Sequence, residues 1–482
     1  MLSLIVFLPL AGAVAILLLL SRREQVRGAA ALFTFISFVL SLVLFFQFDR
    51  AAAGVQFSER VTWIPGIAAQ YYLGVDGLNL PMVILTTLLG FLAVLISWHI
   101  ELRPKEYFFW LLVLETGVLG VFTSLDLLLF FLFWEVELVP MYLLISTWGS
   151  PPPVGRREYS AMKFVIYTIL GSAFMLVGIL ALYFSAGTFD MMALQKVDLA
   201  RPMLPAAAIF LLLLVAFAIK LPVFPLHTWL PDAHTDAPTA VSVMLAGVLL
   251  KMGGYAIIRI CVGIFPEVAA QFGGFFVTLA VVNVIYGALV TLAQRDLKRL
   301  IAYSSVSHMG FVLLGIGALT PVALTGASLQ MFSHGVITAL LFMIAGLVYD
   351  KCHTRQLNAL GGLAQRTPVL AVTMTAAGLA ALGLPGMSGF AAELMVFLGT
   401  YPAWGAGTAI AAFGIVLGAG YILWTVERAL FGPLRPELSH VQDADAVERI
   451  PLFALVAVIL VVGVFPSVLT DVILPAVAVV LG

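Results

Sequence analysis

Hydrophobic residues gather in long runs separated by short polar stretches, a spacing that belongs to bilayer-crossing helices rather than to a water-soluble core. Runs of about 20 residues, the length a helix needs to span hydrocarbon, cover 2–20, 29–48, 79–99, 107–125, 127–148, 161–185 and 204–226. They continue over 236–262, 271–293, 299–318, 322–349, 368–398, 406–430 and 451–480. The pattern predicts an all-α polytopic membrane protein with about 14 transmembrane helices. The last run is long, and Pro466 and Pro475 put a bend or an interfacial end inside it. The stretch 49–78 contains VTWIPGIAAQYYLGVDG, whose aromatic and turn residues suit a short hairpin lying on the bundle.

Charge placement tests the helix count. With the N-terminus outside, Arg50, Arg60, Lys196, Arg201 and Arg259 fall on the outer side, and Lys220 and Lys251 fall inside helices. The other seventeen of the 24 basic residues then lie in cytoplasmic loops. That bias favours an even number of helices with both termini outside, because a missed helix would invert every later loop. The first run has no charged residues before it and Arg22 and Arg23 after it, so it reads as an uncleaved membrane helix rather than a signal peptide.

Composition narrows the function. The chain is 62% hydrophobic and 10% charged, with a net charge of −1, so neither a soluble catalytic domain nor a nucleic-acid-binding patch fits. The two cysteines, Cys261 and Cys352, fall near opposite faces, too far apart for a disulfide. They lack the spacing of an iron–sulfur site, and no dinucleotide or P-loop pattern follows a strand.

Two runs carry interruptions at comparable places, AIKLPVFP in the seventh and ALGLPGMSGF in the twelfth. Leu-Pro follows a first apolar half in each, and the two helices cross in opposite directions. Paired broken helices of this kind point to inverted repeats with a transport path at their interface. The expected organisation is three N-terminal helices and an outer loop over 1–104, followed by a first repeat of helices 4–8 over 105–265. A second, inverted repeat of helices 9–13 follows over 266–432, and a linker with a C-terminal helix over 433–482.

The buried titratable residues are few. A lysine at the centre of a bilayer costs about 2.5–3.5 kcal/mol, yet Lys220 stands against the Leu221-Pro222 break and Lys251 lies mid-helix beside Gly247, Gly253 and Gly254. Pro222 frees carbonyls one turn earlier, so the Lys220 ammonium can be met there or by a glutamate of the fifth helix. Glu135 and Glu137 on that helix are two residues apart, hence about 200° around it. One faces the bundle interior, and the other a partner subunit, lipid headgroups or a second helix. His308 and His334, with ordinary pKa values of about 6.5, serve either as a relay or as a hydrogen-bonded pair. Glu393 follows the second break and reads as the terminal relay group, with Glu115 a weaker candidate of the same type. His227, Asp232, His234 and Asp236 sit at the cytoplasmic end of the seventh helix, where they cap helices and wet the entrance. No metal site is expected, because the two histidines lack a third ligand.

With these residues in place, the chain resembles the antiporter-like membrane subunits of respiratory complex I, the proton-translocating NADH–quinone oxidoreductase. FFLFWEVELVPMYLLISTWG at 130–149, KLPVFPLHTWLPDAHTDAPTAVSVMLAGVLLKMGGY at 220–255 and QRDLKRLIAYSSVSHMGFVLLG at 294–315 carry the resemblance. LQMFSHGVITALLFMIAG at 329–346 and LGLPGMSGFAAE at 382–393 add to it. It implies fourteen helices with two inverted five-helix repeats broken at helices 7 and 12. It also implies proton-translocation roles for Glu135, Lys220, Lys251 and Glu393, with His308 and His334 in support. Sister subunits tend to carry lysine at the position of Glu393, and the resemblance assigns no role to Glu137.

The function so implied is proton translocation through this buried line, with Lys220 paired to Glu135, coupled to quinone reduction elsewhere, in a bacterial cytoplasmic membrane. NADH, FMN, iron–sulfur clusters and quinone are expected in partner subunits, not in this chain. Sister antiporter-like subunits, lipids and protons are the expected partners. The alternatives are a subunit of a multisubunit sodium/proton antiporter, a related membrane-bound hydrogenase or plastoquinone-linked complex, and a structural spacer.

Overall fold

The computed structural model describes residues 1–197 and 203–482, so Arg201, expected on the outer side, lies outside the described residues. Helices α1 (Leu2–Leu19) and α2 (Arg23–Gln47) lead to a two-stranded antiparallel hairpin, β1 (Gln56–Ile64) and β2 (Ala69–Val75). This is the hairpin expected over 49–78, and it is tied to the bundle at two helix ends. Glu59 of β1 accepts from the N–H groups of Leu2 (2.8 Å) and Ser3 (3.1 Å), which α1 leaves unpaired.

Helices α3 (Leu80–Ile96), α4 (Pro104–Thr123), α5 (Leu127–Val136), α6 (Leu138–Trp148) and α7 (Arg157–Ala186) follow, then the short α8 (Met191–Leu194). Asp126 caps α5 through the Leu128 and Leu129 N–H groups and also accepts from Gln70 of β2 at 3.0 Å. The fifth apolar run spans Leu127–Trp148, with its helical hydrogen bonding interrupted only at Glu137, whose backbone stays helical (φ −72°, ψ −21°).

The seventh run is α9 (Ala206–Lys220), an irregular stretch, and α10 (Trp229–Asp236). The eighth is α11 (Thr239–Met244), a π-helical segment (Leu245–Leu249), α12 (Leu250–Ala256) and a second π segment (Ile257–Val262). Then come α13 (Pro266–Gln271), α14 (Gly273–Leu292), α15 (Leu297–Ala318), α16 (Pro321–Cys352) and α17 (Pro368–Ala381). Helix α18 (Ser388–Leu430) merges the end of the twelfth run with the thirteenth, and only a kink at Trp404 (φ −135°, ψ 48°) marks the expected loop. The last run divides at Pro466 into α19 (Ala446–Val464) and α20 (Ser467–Leu481), the bend its prolines forecast.

Among the described residues eleven helical spans, with Leu127–Trp148 and Thr239–Val262 each counted as one, are long and apolar enough to cross a membrane. The apolar α3, α9 and α17 are shorter, and the last two stop at the breaks. The span Thr239–Val262 and helix α16 are buried over their whole apolar windows, and α15 nearly so, while α1, α2 and α19 bury about a third. The centre is therefore built from α11, α12, α15 and α16, with apolar helices around it.

Ion pairs sort by face. Arg60–Asp190 (2.7 Å) and Arg259–Asp76 lie on the hairpin side. Lys163–Asp232 (2.7 Å), Lys351–Glu448 (2.9 Å) and Arg355–Asp296 lie on the opposite side. Three basic residues assigned to loops prove buried: Arg259 in the second π segment, Lys298 at the start of α15, and Arg355 just after α16. Each has an acid or a backbone carbonyl to meet it, which short loops on an apolar bundle supply.

The break after Lys220 is held by a residue from the other half of the chain. Asn283 of α14 accepts from the Phe224 N–H at 2.7 Å and donates to the Pro222 carbonyl at 3.1 Å. The Trp229 indole N–H donates to the Ile219 carbonyl at 2.9 Å. Asn283→Leu would strand both backbone groups in an apolar interior, at about 1–3 kcal/mol each. The expected result is a purified complex that melts several degrees lower; an unchanged thermal scan in detergent would rule out Asn283 as the support of the break.

Candidate functional site

Lys220 ends α9, where the Leu-Pro break stops the helix and leaves its long side chain inside the bundle. It is fully enclosed, and its ammonium forms an ion pair with Glu137, also buried. The rings of Trp134 and Phe164 each lie 5.4 Å from the ammonium. Pairing Lys220 with Glu135 is therefore not what the fold builds. Glu137 falls between α5 and α6 on the buried side of this run, and Glu135, two residues earlier, lies about 200° around the helix from it. Glu135 is only half buried, and its Oε1 has no hydrogen-bond partner. The extra acid with no assigned role is the one that meets the lysine.

Lys251 lies in α12, just past the first π segment. A π turn leaves backbone carbonyls out of the α-helical ladder, and the Lys251 Nζ donates to one of them, Ala246 O. The same Nζ lies 2.7 Å from His334 Nδ1 on α16. The glycine at 253 lets α12 settle on the end of α9, where a Cβ would meet Phe217 O and Leu221 N at 2.6 Å. Among the described residues no side-chain hydrogen bond joins Lys220 to Lys251.

Beyond Lys251 the line continues through side chains. The rings of His334 and His308 are 5.6 Å apart between centroids, and His308 Nδ1 is 3.3 Å from Glu393 Oε1. His308 Nε2 also lies 3.5 Å from the Tyr421 hydroxyl of α18. Glu393 stands one turn into α18, just after the second break, and Gly383 in that break makes room for it. Gly383 has φ +76°, and a Cβ there would come within 2.9 Å of Glu393 Oε2. A small cavity bordered by Ser304, Gln330, His334 and Glu393 separates these groups. His334 Nε2 and Gln330 Oε1 have no hydrogen-bond partner there.

The structure thus gathers Lys251, His334, His308 and Glu393 into one line, holds Lys220 with Glu137 beside its start, and leaves Glu135 at the margin. Glu115 stands apart on α4, its carboxyl packed against Gly90 of α3. Of the group at the end of the seventh helix, the acids do cap and anchor. Asp236 accepts from the Arg156 N–H (3.0 Å) and the Ser160 hydroxyl (2.6 Å). His234 behaves differently: it is fully buried, stacked on Phe342 at 4.6 Å, and neither ring nitrogen has a partner. Sequence reasoning missed it as an interior group, and missed Asn283 altogether, although a lone asparagine in AVVNVIYG was a visible signal.

Comparison with known proteins agrees with this geometry. Residues 124–418 match the family described as NADH:quinone oxidoreductase/Mrp antiporter, transmembrane. NADH-quinone oxidoreductase subunit M of Rhodobacter capsulatus is 44% identical, over 99% of this chain and 96% of its own. NAD(P)H-quinone oxidoreductase chain 4 of Gloeobacter violaceus is 42% identical, over 98% and 91%. A chain of respiratory complex I from Thermus thermophilus superposes with TM-score 0.90 at 32% identity, covering all of both chains. A chain of the Mrp complex from Dietzia shares the fold, with TM-score 0.87 at 22% identity over 100% and 99%. The match over most of the chain, and near-complete coverage of relatives called subunit M or chain 4, carry one conclusion: this chain belongs to the NADH:quinone oxidoreductase/Mrp antiporter family of membrane subunits.

Proposed function

We propose that the chain is the proton-translocating membrane subunit, of the subunit M type, of an NADH–quinone oxidoreductase. The observation that carries this reading is the succession of titratable side chains from Lys251 through His334 and His308 to Glu393, with one gap, between the two histidine rings, bordered by a small cavity. Each is buried among predominantly apolar helices. In such surroundings an ionisable group is retained for what its proton can do.

In this reading Lys220 exchanges its proton as its pairing with Glu137 tightens and loosens. Lys251 and the histidines carry the proton laterally, and Glu393 passes it on. Burial disfavours each charged form and a neighbouring opposite charge restores it, so a small movement of Glu137 shifts the proton affinity of Lys220. NADH, FMN, the iron–sulfur clusters and quinone belong to partner subunits, which include sister antiporter-like chains. The complex lies in the bacterial cytoplasmic membrane with both termini of this chain outside, so the cation-rich face is cytoplasmic.

The relay is tested in the assembled complex reconstituted into vesicles. Lys220→Ala is expected to abolish quinone reduction coupled to proton uptake while leaving assembly intact; normal coupled pumping would sink the relay. Lys251→Arg keeps the charge but holds its proton permanently, so it should lose coupled turnover, whereas a spacer role would leave it unaffected.

The pairing gives a second comparison. Glu137→Gln leaves a buried ammonium without its counter-charge, a change that costs about 3–5 kcal/mol at buried pairs. It should therefore depress coupled turnover more than Glu135→Gln. The reverse order, read as quinone-reduction rate per assembled complex, would return the pairing to Glu135.

A further inference from the structure

The buried line needs a supply of protons from one face, and a large opening lies on the cation-rich side. It is a cavity of about 540 Å³ between the ends of α3, α4, α6 and α16, walled by Ser97, Tyr107, Lys298, Asp350 and Arg355 among others. Its floor is unusual. Lys298, in the first turn of α15, is 4% exposed and donates from Nζ to the Ala237 carbonyl at 2.6 Å. Among the described residues no carboxylate hydrogen-bonds it, although Asp236, Asp296 and Asp350 lie near enough to act on it through space, as does Arg355. Ala237 is the residue that ends α10, so Lys298 is fastened to the C-terminal end of the half-helix that carries His234.

His234 is the second observation. It lies within electrostatic reach of Lys298 on one side and of Lys251 on the other. His334, the partner of Lys251, feels it as well. Both its ring nitrogens are buried and unpaired. A neutral imidazole has one accepting and one donating nitrogen, so a ring free at both ends receives a proton on one side and gives one up on the other.

The geometry points to a proton entrance that runs from this cavity through Lys298 and His234 to the Lys251–His334 pair. It joins the line at its Lys251 end rather than through Lys220. Each hop moves one proton and no electrons. Lys298 Nζ releases a proton to His234 and is reprotonated from cavity water. His234 passes its other ring proton to the Lys251–His334 pair. Arg355 keeps the floor in place: it pairs with Asp296, which caps α15, and donates to the Thr235 carbonyl on α10 at 2.7 Å.

The entrance rests on the relay reading above, and the test separates the two. Lys298→Arg preserves the positive charge and a donor for Ala237 O but cannot release its proton. In the assembled complex in vesicles, coupled proton translocation should fall about tenfold or more, the scale of a lost acid–base group. Lys298→His restores a titratable group and should recover part of it. Parental pumping by Lys298→Arg, alongside loss in Lys220→Ala, overturns the entrance and leaves the relay standing. Parental pumping by both overturns both.

Should Lys298→Arg fail to assemble, Ser150→Cys tests the cavity directly, in a background that also carries Cys352→Ser. Ser150 lines the cavity and is only half buried, whereas Cys261, the thiol that remains, is fully buried. A charged, membrane-impermeant methanethiosulfonate should modify Cys at position 150 from the cation-rich face and slow turnover relative to the same variant left unlabelled. An unmodified thiol in the assembled complex, or modification without effect on turnover, overturns the entrance.

Discussion

The bilayer offers no hydrogen bonds, so every interrupted helix and every charge inside it must be satisfied by protein. That constraint sets the architecture. The first break packs against α12 and α14, and its orphaned backbone is answered from far along the chain by Asn283. The outer helices need no such provision. Helices α1 and α2 turn apolar faces outward, as Leu4 and Phe35 do.

Within that core, charge is met in two different ways. Arg259 with Asp76 and Arg355 with Asp296 are anchoring pairs, each with further backbone or hydroxyl contacts that fix the geometry. Lys220–Glu137 and Lys251–His334 are sparer: Glu137 Oε2 and His334 Nε2 have no partner at all. A buried pair with unused capacity adds little to stability, but it can change partners without first breaking a network. The anchoring pairs lie toward the two faces, and the sparer ones lie between them.

Much of this was legible in the chain. Fourteen apolar runs located the helices because span length and composition are local properties. The two Leu-Pro breaks, and the lysine and glutamate beside them, were visible for the same reason. What the sequence hid were choices made by packing. Glu135 and Glu137 are indistinguishable by burial preference, and only the face on which their helix packs into the bundle decides which points at Lys220. Lys298 and Arg355 read as loop charges, because their distance from the helix ends conceals how far α10 and the 149–156 loop fold over them. His234 looked like a capping residue among acids, and its stacking on Phe342 depends on α16 arriving from a hundred residues away.

The π segments on either side of Lys251 carry a consequence for how this helix is numbered around its own axis. Each π turn packs in more residues per turn than the α-helix, so residues 250–256 are rotated out of phase with the helix before and after them. The lysine points at His334 because of this phase, not because of its place in a hydrophobic stripe. Restoring a plain α-helix by removing one residue from 245–249 would leave composition, length and hydropathy almost untouched. It would swing Lys251 by about 100°, away from His334. The aim of the central lysine is thus stored in a count of residues, and no single side chain encodes it.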